Sequence, residues 1–436
     1  MSKIVIIGAG MAGLGTAFAL QEHPGEHTVT LLEKENRPGG LCRTIEKDGF
    51  FFDQTGHLLH YQTDHFKQFV HQKIPDGLTE QKRNSFVYSH NVYTRYPFQA
   101  NLYGLPPEVV IECLHGYCEA VYRSHEMPIK SFEDWILANF GSGIARHFMF
   151  PYNTNLYKRR LSELSPDCAG RFIPKPDLLQ VIRGAVSDND ERLGYNTTFS
   201  YPKHGGIETL IRAIAKDVRG LHTKQEVCVI DLKQKKALTS TEGEFDFEFL
   251  VSTAPLPTLI KMIKEIPRHV RDAAESLEHV SVLNVNLGIK GVIPEKHWIY
   301  IPEDRFIFYR VGFANNFSEH MAPPGCSSIY TEISYRPDRP PETAHAVQRV
   351  ISDLITMKII HSKDEVVSQA VIDIPHAYVI FNHSGKEALS IIQSFLIEHG
   401  IFSIGRYGRW DYLSMEDSFM DGMDTAREVD GRLSRA

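Results

Sequence analysis

An α/β fold is predicted, built on a βαβ dinucleotide-binding unit that is interrupted by a large second lobe. Three observations predict it. A β-branched run at the amino terminus breaks into a glycine turn and continues as an apolar helix. A second apolar strand follows and ends in an acid. Long helical and strand-rich stretches then intervene before a glycine-containing strand end and a polar helix start return near the carboxyl terminus.

The first element is Ile4 to Ile7, a short buried strand, followed by a helix from Met11 to about His23. Between them Gly8, Gly10 and Gly13 have the G-x-G-x-x-G spacing. Such glycines give a tight turn, let a pyrophosphate approach the backbone and let helix pack on strand, with the helix amino terminus facing the anion. Thr28 to Leu32 reads as the second strand and ends in Glu33, twenty residues past Gly13, where a carboxylate accepts the adenosine ribose hydroxyls. The match is a Rossmann-like unit because strand, glycines, helix, strand and acid fall in register.

At 436 residues the chain is too long for one ordinary core, so two or three lobes are expected. Composition is that of a globular protein, with 42% apolar and 23% charged residues and a net charge of −7. Mild acidity gives no reason to expect nucleic acid or an anionic membrane as partner, so any anionic substrate needs a local arginine cluster. Cys42, Cys113, Cys118, Cys168, Cys228 and Cys326 form no C-x-x-C pair and read as reduced, mostly packed thiols. No apolar run approaches a membrane span, and the apolar start lacks a cleavage-like end. The expectation is a cytoplasmic protein without a metal, since His60 and the other histidines lack ligand spacing.

Past the ribose acid lies Arg37-Pro38-Gly39-Gly40, a second glycine pair that a simple nicotinamide-binding unit does not need. Here the chain resembles the FAD-binding group of amine oxidases, protoporphyrinogen oxidases and UDP-galactopyranose mutases, in which an R-x-G-G segment lies along the flavin side of the dinucleotide. The resemblance implies FAD and a discontinuous, glutathione-reductase-like FAD-binding domain of residues 1–63, 195–256 and 383–436. A mainly helical substrate lobe over 64–194 and a sheet-containing one over 257–382 complete the expected mixed helical and antiparallel-sheet substrate domain.

Several segments resemble the mutases in particular. The strand Phe50 to Phe52 leads to Gly56-His57, similar to a G-G-H turn that lays a histidine near the flavin; His57 titrates near neutrality and can tune the redox state. An ordinary hydrogen-bonded histidine is the alternative. Tyr96-Pro97-Phe98-Gln99 resembles the segment lining the uridine pocket in eukaryotic-type mutases, where a ring stacks on the base and an amide reads its edge. Asn153, Tyr157 and Arg171 fall on a P-Y-N-x-x-x-W segment and its G-x-R turn, with Tyr157 in place of the usual tryptophan. Asn196 matches a sugar-pocket asparagine. Gly205 and Gly206 form a turn that passes the flavin's reactive face, where only a residue without Cβ fits. Glu226 to Ile230 reads as the strand whose valine backbone, at Val227, meets the adenine in this group, and Phe249 to Pro255 is expected to close the sheet.

Tyr300, Arg310 and Tyr378 fall where the mutases hold the substrate diphosphate, Tyr300 and Arg310 on a hairpin, and a guanidinium fork suits phosphate. The carboxyl-terminal segment places Gly405, Arg406, Met415, Glu416 and Ser418 around a helix start whose amides and dipole favour reduced flavin, with Tyr412 as a substrate contact. Arg432 to Ala436 reads as a frayed tail.

One position departs from the mutases: where they carry a diphosphate-clamping arginine, this chain has Asp411. An effective dielectric near 20 makes a charge pair at about 4 Å worth about 4 kcal/mol, and the exchange reverses the sign. Either Arg409 or Arg406 substitutes for the lost cation, or Arg310 pairs with Asp411 and leaves a site for a less anionic substrate. The resemblance implies a nucleotide-diphosphate sugar as substrate, pyranose/furanose interconversion through reduced flavin N5 and an external reductant. The alternative is an oxidoreductase of amine or protoporphyrinogen oxidase type transferring hydride to the flavin, for which Asp411 speaks; a protein that only binds is a third class. The candidate catalytic residues are His57, Arg310 and Asp411. The sugar, the base and the oligomeric state are not legible.

Overall fold

The computed structural model describes residues 2–22, 27–123, 128–170, 172–188, 193–194 and 197–433. Its organising layer is a five-stranded sheet in the order Ile401–Ser403, Phe249–Ser252, Ser2–Ile7, His27–Leu32 and Leu221–His222, with every pair parallel. Ser2–Ile7 is central and its residues Ile4 to Ile7 are buried, which explains the unbroken β-branched run. Phe249–Ser252 does not close the sheet: Ile401–Ser403 pairs outside it, so the edge is supplied by the carboxyl-terminal segment. The expected strand at Val227 is Val227–Asp231, which forms a separate three-stranded antiparallel sheet with Lys236–Thr239 and Glu244–Asp246.

The helix Met11–Glu22 is buried along most of its length, because it lies between the sheet and the helix Met415–Leu433. Small residues permit the crossing. A Cβ on Gly15 would stand 2.4 Å from the Phe419 carbonyl oxygen, and one on Gly422 would stand 2.2 Å from that of Ala12. The two ends of the chain therefore pack as one unit. On the opposite face, Leu256–Met262, Arg268–Glu275 and Gly385–Glu398 bury Leu256, Leu259, Val270 and Ile392 against Val5, Ile7 and Leu32.

A second, seven-stranded sheet runs in the order Val366–Ile380, Glu278–Lys290, Cys326–Tyr335, Arg310–Phe313, Trp298–Tyr300, Ser85–Ser89 and Val92–Arg95. The last two strands come from the 64–194 stretch and join through a parallel pairing of Ser85–Ser89 with Trp298–Tyr300. Both inserted stretches thus share one sheet. The helices Pro107–Arg123, Phe132–Ile144 and Leu178–Val186 cover its end around Phe98, Phe132, Phe140 and Phe148. No helix among the described residues is long and apolar enough to cross a membrane, and none of them form a group of three or more metal-ligating side chains.

Candidate active site

The glycine elbow has the close packing its spacing requires. A Cβ on Gly13 would fall 1.9 Å from the Gly8 carbonyl oxygen, so only glycine lets helix and strand meet there. The second glycine pair docks on the first: Gly39 N donates to the Ala9 carbonyl at 2.9 Å, and a Cβ on Gly40 would come 3.4 Å from Gly10 Cα. Glu33 is buried and accepts Ala9 N on Oε2 at 2.8 Å and Glu35 N on Oε1 at 2.9 Å. Each carboxylate oxygen keeps a second lone pair for a hydroxyl. Gln225 N donates to the Glu33 carbonyl at 2.8 Å, which holds Val227 and its strand beside the acid. The bare Cα atoms of the two glycine pairs, which no side chain crowds, fit the close approach of a dinucleotide phosphate.

Arg37 is tied inward, donating to the Thr44 carbonyl at 2.9 Å and lying 3.4 Å from Glu208. Behind it, a buried carboxylate pair anchors the Gly205-Gly206 turn. Thr44 Oγ1 and Tyr201 Oη each donate to Asp53 at 2.6 Å, while Glu208 accepts Thr44 N at 2.8 Å. A Cβ on Gly206 would stand 2.4 Å from Thr44 Oγ1, so the turn is seated directly on this network. Burial raises the Asp53 carboxyl to about 6, against the pull of the Thr44 and Tyr201 hydrogen bonds.

The carboxyl-terminal segment reaches the same place. Gly405 N donates to Asp421 at 2.7 Å, and a Cβ on Gly405 would lie 2.8 Å from Ala12 Cβ, at the start of the amino-terminal helix. Ser414 and Asp417 cap the Met415–Leu433 helix reciprocally, at 3.1 and 2.8 Å. Met415 and Ser418, half-buried, flank Glu416. The Glu416 carboxylate itself takes Gln62 N at 2.6 Å, Thr63 N at 2.9 Å and Thr63 Oγ1 at 2.6 Å. Its side chain therefore holds the chain just beyond His57 and does not project freely toward a cofactor.

The chemistry of the second lobe is arranged on one rung of the large sheet. Tyr300, Arg310, Glu332 and Asn284 are direct partners across four adjacent strands, so their side chains share one face. Arg310 grips Glu332 at two points, Nε to Oε1 at 2.9 Å and Nη2 to Oε2 at 2.7 Å, and Tyr309 Oη donates to the same carboxylate. Asn284 accepts Thr55 N at 3.2 Å and so pins the Thr55-Gly56-His57 turn to the rung. Thr55 has φ 68, an uncommon conformation for a β-branched residue. A Cβ on Gly56 would meet the Tyr330 hydroxyl at 2.3 Å.

His57 is half-buried, and its Nδ1, shielded from solvent, has no hydrogen-bond partner. Burial, then the charges of Arg406 and Arg310, lower its proton affinity to about 4, with a weaker opposing pull from the Gln54 and Thr55 backbone. The imidazole is neutral at physiological pH. Arg406 lies over Tyr412 at 4.0 Å and Tyr378 at 5.4 Å, and donates to the Leu413 and Ala377 carbonyls at 3.2 Å. Tyr378 stacks on Tyr412 with ring centres 5.8 Å apart. A register shift between Val280 and Val282 puts a bulge in the pairing with Val366–Ile380 at this point, the device that re-aims a strand side chain.

The other predicted residues divide. Tyr96 stacks on Tyr300 at 4.5 Å, and Tyr152 meets Tyr300 edge-on at 5.5 Å, so three tyrosines cluster beside Arg310, the cross-strand partner of Tyr300. Gln99 is buried, donates to the Pro174 carbonyl at 2.6 Å and leaves Oε1 unpartnered. Tyr157 packs edge-on to Phe132 at 6.2 Å, with its phenol pushed up by burial. Phe98, expected in the pocket, is fully buried and stacked on Phe148 at 5.0 Å; it is a core residue. Asn153 likewise turns inward, its amide donating to the Met149 carbonyl at 2.7 Å along its own helix. Arg171 and Asn196 lie outside the described residues.

Asp411 is exposed and accepts Tyr412 N at 2.6 Å. It does not pair with Arg310, whose partner is Glu332, and Arg409 is committed to Asp421 at 2.8 Å. Sequence reasoning missed Glu332, Tyr330, Asn284 and Tyr152. The signal for Glu332 was present: one carboxylate within the otherwise uncharged strand Cys326–Tyr335.

A glycine elbow backed by a buried acid, a second glycine pair docked on it and a carboxyl-terminal helix start converging on both define a dinucleotide-binding enzyme of the FAD-dependent class. The profile of the flavin containing amine oxidoreductases matches residues 11–429, and the chain belongs to that family, whose members bind FAD. The crystal structure of a reduced UDP-galactopyranose mutase superposes with a TM-score of 0.92 at 28% identity, covering 99% of this chain and 96% of the other. A coproporphyrinogen III oxidase of Staphylococcus aureus is 22% identical over 66% of this chain and 67% of its own. An L-amino-acid oxidase of Crotalus adamanteus is 23% identical over 75% of this chain and 69% of its own.

Proposed function

We propose that the protein acts on a nucleotide-diphosphate sugar as a UDP-galactopyranose mutase-like enzyme, interconverting pyranose and furanose rings. The observation that carries this reading is the cluster of Tyr96, Tyr300 and Tyr152 beside Arg310, the cross-strand partner of Tyr300. It offers a stacking surface for a base next to donors for a phosphate. The superposition on the mutase supports it further.

In this reading Gly8, Gly10, Gly13, Gly39 and Gly40 would hold the FAD phosphates, Glu33 the ribose and Val227 the adenine. Gly205, Gly206, Gly405 and Arg406 close the flavin end. Reduced FAD supplies the nucleophile for a reaction with no net redox change, and an external reductant primes it. The chain's own residues bind and orient. Buried phenols of Tyr152, Tyr300 and Tyr378 stay protonated and donate to the diphosphate, since burial raises all three above the ordinary tyrosine value. Glu332 fixes the Arg310 fork on the rung, and neutral His57 would hold an unpartnered Nδ1 as a hydrogen-bonding atom for the bound substrate or cofactor.

Asp411 favours a second reading, hydride transfer from an amine or porphyrinogen-like substrate, because an exposed acid beside Tyr412 attracts a cation. The test is to incubate dithionite-reduced holoenzyme with UDP-galactopyranose and separate the ring forms chromatographically. A furanose product is expected. Its absence, with oxygen consumed on an amine or porphyrinogen instead, would transfer the assignment to the second reading.

A further inference from the structure

A cavity of about 200 Å3 opens beside the Gly205-Gly206 turn, between the hairpin of Thr44–Lys47 and Phe50–Asp53 and the helix Glu208–Ala215. No glycine of the elbow and no residue of the Arg310 rung lines it. Two guanidiniums do, Arg37 from the loop after Glu33 and Arg212 from the helix. Arg37, expected along the dinucleotide, turns its guanidinium here to the Thr44 carbonyl and to Glu208. The two cations share that one buried carboxylate: Arg212 Nε donates to Glu208 Oε1 at 2.9 Å, and Arg37 Nη2 lies 3.4 Å from Oε2. A positive charge is left over at this wall. Both Nη groups of Arg212, and Nε and Nη1 of Arg37, have no partner among the described residues.

The rest of the lining suits an organic body. Phe51 and Ile45, both half-buried, give the cavity an apolar side, and Gly205, at φ 76, adds no side chain to fill it. Glu46 also lines it but is exposed, so water screens its charge. The volume falls below the roughly 300–1,000 Å3 of sites for drug-sized ligands, so a small molecule is selected. An oxyanion meets the parallel donors of a guanidinium, and an apolar group covers Phe51 and Ile45. We propose that this pocket is a second ligand site, separate from those of the cofactor and the substrate, for a small organic anion with one phosphate or carboxylate head, and that its occupancy is felt at the flavin. The site does not rest on the nucleotide-sugar reading.

Hydrogen bonds join the pocket to the cofactor turn. Glu208 accepts Thr44 N at 2.8 Å, while Glu208 N donates to Thr44 Oγ1 at 3.2 Å. Thr44 Oγ1 in turn donates to Asp53, and a Cβ on Gly206 would stand 2.4 Å from that same oxygen. An anion that draws Arg37 and Arg212 toward itself loosens their hold on Glu208, and Glu208 shifts the Thr44 contact on which Gly206 is seated. Coupling between two bound ligands is reciprocal, so the anion alters FAD binding as FAD alters its own.

The test titrates FAD-loaded protein by calorimetry with phenyl phosphate and with benzoate, following the flavin spectrum in parallel. Wild type is expected to bind at least one of them with a Kd on the order of 0.1–1 mM, the tighter naming the head group, and to shift its flavin absorbance. Inorganic phosphate, which lacks the ring, is expected to bind about tenfold more weakly. Arg212→Gln, at an exposed position, is expected to weaken the organic anion about tenfold with FAD content and melting temperature unchanged. Phe51→Ala is expected to remove the advantage of phenyl phosphate over inorganic phosphate, and Glu46→Gln to tighten binding about twofold at low salt alone. Wild-type affinity in Arg212→Gln, no binding of any of the three anions, or binding to apoprotein that FAD abolishes would each overturn the proposal. Displacement by UDP-galactose would do the same, by returning the pocket to the substrate site. A bound anion that leaves both the flavin spectrum and the FAD affinity unmoved would sink the link through Thr44 and Gly206.

Discussion

Arg310 and Glu332 face each other across neighbouring strands and are joined at two points, with the carboxylate almost wholly buried and the guanidinium side chain 19% exposed. Removing one partner of such a pair strands the other charge in a poorly solvated place. Glu332→Ala is expected to cost about 3–5 kcal/mol in urea unfolding. The double variant Arg310→Met with Glu332→Leu is expected to recover most of that loss while losing ligand binding. A single variant as stable as wild type would mean that water reaches the pair.

The elbow makes a sharper prediction about cofactor than about folding. Gly13→Ala places a methyl 1.9 Å from the Gly8 carbonyl, so strand and helix have to separate. Overpacking of that kind costs about 1–3 kcal/mol, or roughly ten- to a hundredfold in FAD affinity if the strain falls on the phosphate cradle. Fluorescence titration of apoprotein with FAD measures it, and the far-ultraviolet dichroism is expected to stay unchanged.

What could be read in advance follows from how local each signal is. Gly8, Gly10, Gly13 and Glu33 act within one βαβ unit, so spacing alone locates them. Arg310 and Tyr300 lie on one hairpin and were equally legible. Glu332 and Asn284 reach the rung only through strand register, which no local pattern encodes. The edge strand Ile401–Ser403 was hidden for the same reason, since nothing in three residues tells which neighbour they pair with. Phe98 and Asn153 show the opposite failure: a matching motif marked a pocket, while burial put these two side chains into the core behind it.

That placement predicts a separation of effects. Phe98→Ala leaves a cavity against Phe148 and is expected to cost about 3–5 kcal/mol of stability. Tyr96→Ala removes the half-buried stacking partner of Tyr300 and is expected to weaken UDP binding by about tenfold, the ~1–3 kcal/mol of an aromatic stacking contact, with a smaller loss of stability. Equilibrium unfolding and calorimetry on the two variants distinguish the roles, and a Phe98 variant that binds poorly yet unfolds normally would restore Phe98 to the pocket.

Asp53 predicts a pH dependence of stability. Its carboxyl is raised from 3.8 to about 6 by burial, so between those values the folded chain holds a proton that the unfolded chain has lost. Stability contributed by this group is present in acid and declines as pH rises through that window, by about 3 kcal/mol when complete. Asp53→Asn abolishes the titration. The stability difference between wild type and Asp53→Asn, from urea midpoints, is expected to shift against wild type between pH 4 and 6.5 and then level off. A constant difference would mean that Thr44, Tyr201 and the Ile207 amide hold the carboxylate ionised throughout.

Asp411 carries the most consequential prediction for substrate choice. It stands exposed beside Tyr412, whose ring lies against both Arg406 and Tyr378, so a cation grafted at 411 joins that cluster. Asp411→Arg replaces a repulsive charge by an attractive one. Because the position is open to water, screening limits each such term to well under the value of a buried pair. The substitution is accordingly expected to tighten UDP binding by about tenfold at low salt, with the gain shrinking as ionic strength rises. Calorimetric titration at two salt concentrations measures both. A gain that ignores salt would point to new packing rather than charge, and no gain at all would mean that the diphosphate, if bound, lies out of reach of this turn and that Asp411 serves a different substrate.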